Sequence, residues 1–344
     1  VKFTIGIQPD LLPANSFSDR WIEQLTELGH DVRVLNVSSA DFIERVSACD
    51  GFLWWFPPMP RVRDVGKRLL PALDHAGKVV VHPDWRSCWH YDDKVAQAYL
   101  LEACGVPTPR TRVLWRYEHA VAFFETVHYP LVVKLGSGVR SQNVALLHDR
   151  AEAVRMARTL FGAGVETFEP RAFRLLREIS RPLRNVIRRA LSLPPLPRPE
   201  IHHSYMLVQE FVGGNDFDTR VNVIGNRAFA FRRANRPNDF RASGSRIQDD
   251  DPSKIALDAI RLAFDAARML KMPALCFDIL RQDGRPVITE ISYYFNAPSI
   301  GECPGHWRMQ GGELEWVAGR MRAEDAVLED FLARLQAMRA ECRR

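Results

Sequence analysis
The segment Pro273–Pro298, PALCFDILRQDGRPVITEISYYFNAP, leaves little freedom in how its part of the chain folds. It reads as two apolar strands, Ala274–Leu280 and Val287–Ile291, joined by a turn through Gln282-Asp283-Gly284-Arg285. Asp-Gly between alternating apolar runs is a strong hairpin signal, because both central turn residues need positive φ. Each strand is interrupted by one carboxylate, Asp278 or Glu290. Two carboxylates side by side and shielded from water repel each other and resist ionising unless a cation lies between them. Mg2+ meets that need: it takes one or two carboxylates and completes its shell with water and substrate phosphates. The plainer alternative is a pair of solvated carboxylates on the open face of a half-covered sheet.

At 344 residues the chain exceeds one ordinary core and suits two or three lobes. Its first hundred residues alternate strand and helix, which implies a largely parallel sheet with helices on its faces. The strands are expected at Lys2–Ile7, His30–Val37, Cys49–Phe56 and Lys78–His82, and the helices at Ser18–Leu28 and Val62–His75. No GxGxxG follows the first strand, so a dinucleotide site is unsupported. No apolar run approaches the ~20 residues of a membrane span, and Val1–Ile5 reads as a strand rather than a signal peptide. Six cysteines without a CxxC pair point to reduced thiols in a cytoplasmic protein. A net charge of +5 fits a protein that handles anions without singling out nucleic acid.

Three further stretches carry chemistry. Asp92-Asp93-Lys94 opens a helix that runs to Cys104 and ends at Gly105, with either aspartate as N-cap. A lysine there opposes the helix dipole, which a bound phosphate would justify. Tyr129–Lys134 is an apolar strand ending on a lysine, followed by Leu135-Gly136-Ser137-Gly138 and the strand Val144–Leu147. Its two glycines let backbone N–H groups approach an anion, although the loop is not a Walker A motif. In Phe168–Leu191, arginines at 171, 174, 177, 181, 184, 188 and 189 recur at helical spacing, interleaved with aliphatic residues. Pro182 is expected to kink or split that helix, and Leu193–Pro199 to leave it as an extended strap. The choice there lies between a solvated arginine face and a basic amphipathic element that leans on anionic lipid or an acidic carrier.

The rest of the chain supplies the strand Ser204–Phe211 and the hairpin Thr219–Ile224 with Arg227–Arg233. A helix from Pro252 to Leu270 is expected under an Asp249–Asp251 cap, and a C-terminal helix over Ala323–Arg343. Taken in order, DDK…LLEACGVPTPRT, VVKLGSG, LVQEFVGGNDFDTRV, RRANRPNDFRASG, CFDIL and TEISYYFN resemble an ATP-grasp carboxylate–amine ligase of the glutathione-synthetase and RimK-like branch. The resemblance runs from about residue 80 to 300 and implies an ATP-grasp α/β fold behind a Rossmann-like N-terminal domain. The expected division is residues 1–108, a small lid lobe 109–207 with the basic insert 168–199, and a large lobe 208–344.

The resemblance also assigns roles. Lys94 and Lys134 would neutralise the α- and β-phosphates of ATP, with Gly136, Ser137 and Gly138 as a lid. Gln209, Glu210, Phe211 and Val212 would meet adenine, and Asp216 or Asp218 the ribose. Arg241 with Arg232 or Arg233 would hold the γ-phosphate. Asp278 and Glu290 would carry two Mg2+ ions, with Mn2+ as a substitute, helped by Ser292 or Asn296. A carboxylate would be phosphorylated and then attacked by an amine, so the implied partners are small-molecule carboxylates and amines and no nucleic acid. An anionic carrier or membrane surface met through 168–199, and a second copy in a homodimer, complete the expectations.

Three departures matter. Ser292 replaces the family's Asn, Cys276 stands where dipeptide-forming cousins carry Arg, and Ser299–Trp307 replaces the family's simpler loop and would itself shape the acceptor pocket. Cys303 and His306 there lack the further ligands of a Zn site. Ser292 is the feature that favours the alternative of a degenerate, regulatory ATP-binding module.

Overall fold
The computed structural model describes residues 1–11, 16–138, 143–168, 171–190, 200–237, 239–242, 244 and 247–341. The chain forms two compact units: Val1–Tyr91, Leu100–Thr108 and Gly214–Arg344 make the first, Asp92–Tyr99 and Pro109–Gly213 the second.

The first unit holds two sheets. Parallel strands Asp31–Val34, Thr4–Gln8, Gly51–Trp54 and Val80–His82 lie side by side in that order. Helices Ser18–Glu27 and Pro60–Ala76 connect them, as the alternation predicts. The larger sheet is antiparallel in the order Arg285–Ser292, Ala274–Gln282, Phe217–Ile224, Arg227–Ala234, Gly305–Gln310 and Glu313–Ala318, with the short strand Gln248–Asp249 also paired to Arg227–Ala234. The Asp-Gly turn takes positive φ at Asp283 and Gly284, as its sequence requires. Helix Leu257–Leu270 buries Ala259, Ile260, Ala263, Phe264 and Ala267, the 3.6-residue stripe of a one-sided helix.

The aromatic run Tyr293-Tyr294-Phe295 belongs to the core. Tyr293 donates a hydrogen bond to the Phe56 carbonyl, and the rings of Trp55, Phe17 and Tyr91 close around it and Phe295. These contacts tie the strand of the carboxylate hairpin to the N-terminal sheet through one continuous apolar cluster.

The second unit carries the antiparallel sheet Thr111–Leu114, Met206–Glu210, Leu131–Lys134 and Val144–Leu147. Helices Tyr117–Phe123 and Arg150–Phe161 cover it, the latter capped by Asp149 on the Glu152 N–H. Asp93 caps the helix Lys94–Ala103 by accepting from the Ala96 N–H.

Three local expectations are corrected. Of the kink or split expected at Pro182, the split does not occur: helix Arg171–Ala190 is continuous, and its exposed face lets water serve the carbonyl that proline leaves without a donor. Asp251 caps only a single turn, Pro252–Lys254, and the main helix starts afresh at Leu257 without a side-chain cap. Ser299–Trp307 is not a loop but the end of helix Ala297–Glu302 and the start of a sheet strand. The proline-rich strap Leu193–Pro199 lies outside the described residues.

Candidate functional site
In the first unit the antiparallel pleat places polar side chains in rows on one face. Asp278 lies opposite Glu290 on one side and Arg220 on the other, and the next row is Ser292, Cys276 and Asn222. A register shift follows Asp278, and the Thr289 hydroxyl donates to the Asp278 carbonyl at 3.1 Å. Bulges of this kind re-aim neighbouring side chains.

Asp278 is buried and held by two guanidiniums. Arg220 donates from Nε at 2.8 Å and from Nη2 at 2.9 Å, and Arg233 from Nη2 at 2.9 Å. Arg233 is shared with Asp218, whose carboxylate it grips with both Nε and Nη2. Burial alone would raise the Asp278 pKa, but the two guanidiniums hold it down at about 2. Asp218 has one guanidinium and feels the charge of Asp278, so burial pushes its carboxyl up. Two carboxylates and two guanidiniums therefore balance within this cluster. Beside it, burial pushes the Cys276 thiol up to about 12, which leaves it a neutral core residue.

The other predicted residues of this unit are placed unequally. Arg232 points away from the cluster, as the residue next to Arg233 on a strand must, and its guanidinium lies 4.1 Å from the centre of the Phe217 ring. Arg241 is clamped by Asp239, with contacts from 2.6 to 3.0 Å. Asp216 is exposed, whereas Asp218 is committed to Arg233. The Ser292 hydroxyl turns onto its own backbone, accepting from the Tyr294 N–H and donating to the Tyr294 carbonyl, both at 3.1 Å. Asn296 is exposed at the start of helix Ala297–Glu302. Cys303 is buried with its thiol pushed up to about 12 and directed at the Ala230 and Ser299 carbonyls, while His306 lies against Phe229.

A divalent cation fits part of this set. Among the described residues no group of three or more His, Cys, Asp or Glu forms a metal cage. Mg2+ does not require one, because it retains waters and takes phosphate oxygens. Glu290 and Asp278, opposite each other on paired strands, are the carboxylates that would hold it, Asp278 being already bonded to Arg220 and Arg233.

In the second unit the glycine loop is held from several sides. The buried Lys94 Nζ donates to the Gly138 carbonyl at 2.8 Å, and Lys94 N–H to the Gly136 carbonyl at 2.7 Å. The Gly138 N–H donates to Asp92 at 2.8 Å, and the Gly136 N–H to the Tyr205 hydroxyl at 2.6 Å. His202 Nδ1 lies 2.9 Å from the same hydroxyl, and Ser137 donates to Glu200 at 2.9 Å. A Cβ at Gly136 would fall 2.7 Å from the Tyr205 oxygen, so only glycine permits this contact. Gly138 sits at φ 129°, where side chains are strained. Lys134 ends its strand between Val144 and Leu207. Gln209 is buried and donates to Thr111 at 2.9 Å, Glu210 is exposed at the strand end, and Phe211 and Val212 follow it half-buried.

Arg220, Asn222, Asp92 and Tyr205 are additions to the predicted set. The first two had a signal: Asp218, Arg220 and Asn222 alternate along a strand whose other residues, Thr219 apart, are apolar, a period-two polar face. Asp92 and Tyr205 had none beyond proximity to a predicted helix and strand.

Residues 199–298 match the family model of the RimK-like ATP-grasp domain. The chain is similar in fold to D-cycloserine synthetase DcsG, with a TM-score of 0.58 at 15% identity over 97% of this chain and 99% of that one. It is similar to the ATP complex of D-alanine–D-alanine ligase from Bacillus anthracis, with a TM-score of 0.56 at 13% identity over 98% and 99%. The ATP-grasp ligase PsnB, complexed with a minimal precursor, gives a TM-score of 0.55 at 15% identity over 97% and 98%. No curated protein sequence matches the chain.

Proposed function
For a chain with the ATP-grasp α/β fold and a RimK-like ATP-grasp domain, we propose the activity of an ADP-forming carboxylate–amine ligase. ATP-grasp ligases couple ATP to such joining in general; the acyl-phosphate route, the residue roles and the substrate class are our reading. The observation that carries it is the buried, charge-balanced strip Asp278–Arg220–Arg233–Asp218 with Glu290 beside Asp278.

Phosphoryl transfer asks a protein mainly for positioning and for fixed positive charge. The substrate carboxylate would attack the γ-phosphorus, forming an acyl–O–P bond as the bond to the β-phosphate oxygen breaks and ADP leaves. The amine would then attack the acyl carbon, and phosphate would leave as the C–N bond forms. Arg233 and Arg220 are pre-oriented by Asp218 and Asp278, so little reorganisation is needed when charge develops nearby. Mg2+ at Asp278 and Glu290 would supply charge neutralisation to the phosphates. Within the second unit, Lys94 and Lys134 would serve as phosphate-binding lysines and Gly136–Gly138 as the nucleotide loop. One of the fold neighbours named above, D-alanine–D-alanine ligase, is named for an amino-acid substrate, which supports an amino-acid or peptide-like substrate.

The alternative of a silent nucleotide-binding module is favoured by the Ser292 hydroxyl, which is engaged with Tyr294. Hydroxylamine separates the two readings. With ATP, Mg2+ and a panel of amino acids and dipeptides, a ligase converts the accepted carboxylate to a hydroxamate with ADP release. A module that binds ATP and forms neither across the panel refutes the ligase reading.

A further inference from the structure
The helix Arg171–Ala190 sorts its residues by polarity around its axis. At 3.6 residues per turn, Leu175, Val186, Ile179, Leu183, Leu176 and Ile187 fall in sequence within an arc of ~120°. Ala172 and Ala190 fall in the same arc, and no polar position does. The arginine positions 171, 174, 177, 181, 184, 188 and 189 fill an arc of ~140° on the other side. Glu178 is the single acid in the helix.

A helix with so wide an apolar arc ordinarily lays it on its own core. This one does not. The six aliphatic side chains are 51–68% exposed, and among the described residues no other named helix or strand shares substantial packing with it. Whatever covers the arc must be apolar where it meets the aliphatic residues and anionic where it meets the arginines. A second copy meets the first condition only. Arginine positions 189 and 184 lie about 40° and about 60° beyond the arc on its two sides, so pairing two such helices would bring arginine margins near each other with almost no acid to balance them.

We propose that this helix is an in-plane anchor that binds the chain to an anionic lipid surface. Acyl chains receive the aliphatic arc and lipid phosphates receive the arginines. It lies on the membrane rather than across it, because no helix among the described residues is long and apolar enough to span one. The inference concerns location and does not depend on the ligase reading.

The test is co-sedimentation of the full chain with sucrose-loaded vesicles of phosphatidylcholine alone and of phosphatidylcholine with phosphatidylglycerol. The anionic vesicles should bind at least about tenfold more tightly than the neutral ones, and added salt should weaken that binding. Ile179→Asp with Leu183→Asp should abolish it, and Arg184→Glu with Arg188→Glu should weaken it by more than about tenfold. Thermal melts matching wild type would show that these exposed substitutions leave the fold intact. Equal binding to both vesicles, or none to the anionic ones, overturns the proposal. So does unchanged binding by the Ile179/Leu183 variant, which would reduce the effect to bulk charge. Concentration-dependent dimerisation without vesicle binding would assign the arc to a second copy instead.

Discussion
Replacing Asp278 by Leu would leave Arg220 and Arg233 without the carboxylate they share. Three charge-assisted hydrogen bonds of 2.8, 2.9 and 2.9 Å end on Asp278. Removing one partner of a buried ion pair costs about 3–5 kcal/mol, much of it from the charge left behind. The Arg220 side chain is 22% exposed, so water relieves part of that penalty and about 3 kcal/mol is expected. Arg220→Met should cost less, about 2 kcal/mol, because Arg233 stays on Asp278. The double variant retains Arg233 and Asp218 as a balanced pair, and apolar replacement of a balanced buried pair is close to neutral. The two changes should therefore be strongly non-additive, with a coupling of about 2 kcal/mol or more. Urea unfolding followed by tryptophan fluorescence measures all three variants against wild type. Additivity within about 0.5 kcal/mol would mean instead that the carboxylate and the guanidinium do not depend on each other.

Other consequences are as direct. His82 and His90 are buried, and burial depresses both pKa values, that of His90 to about 3. Their contribution is complete above pH ~6.5 and is lost as pH falls towards the folded values, by about 1.4 kcal/mol per pH unit for each histidine. Urea midpoints between pH 7 and pH 4 should fall accordingly; a flat profile would contradict the burial. Gly136→Ala drives a Cβ towards the Tyr205 hydroxyl, so the loop must shift, and nucleotide affinity should fall about tenfold while the melting temperature changes little. Equal affinity by calorimetry would separate that loop from the nucleotide. Tyr293→Phe removes the buried hydrogen bond to Phe56 and should cost about 1–2 kcal/mol in urea unfolding, with no loss if that bond is absent in solution.

The fold was legible where the period of apolar residues and the turn chemistry agreed. The Asp283-Gly284 turn, the strand–helix alternation of the N-terminal sheet and the strand Val144–Leu147 lie where their residues predict. The split expected at Pro182 does not occur because a proline's cost depends on whether water can reach the freed carbonyl, which sequence does not reveal. The run after Cys303 hid a strand because Gly305 and Pro304 read as turn residues. In the site, the register of the Asp283-Gly284 turn alone would set Asp278 opposite Thr289; the bulge after Asp278 brings Glu290 there instead, and neither that bulge nor the guanidinium partners of Asp278 was readable. Arg220 comes from a strand 58 residues away, and only sheet order brings it there. The Ser292 side chain was equally opaque, since its turn back onto Tyr294 is set by the backbone after the strand.

The ligase reading is tested most directly by following ADP, phosphate and product mass together. Purified chain would be given ATP and Mg2+ with carboxylates and amines offered singly and in pairs. ADP and phosphate are expected in equal amounts with an amide product, only when both substrates of a productive pair are present. Glu290→Gln and Lys134→Ala should abolish turnover in a protein that melts normally. ADP formation without any amide, or full turnover in Glu290→Gln, would contradict the ligase reading.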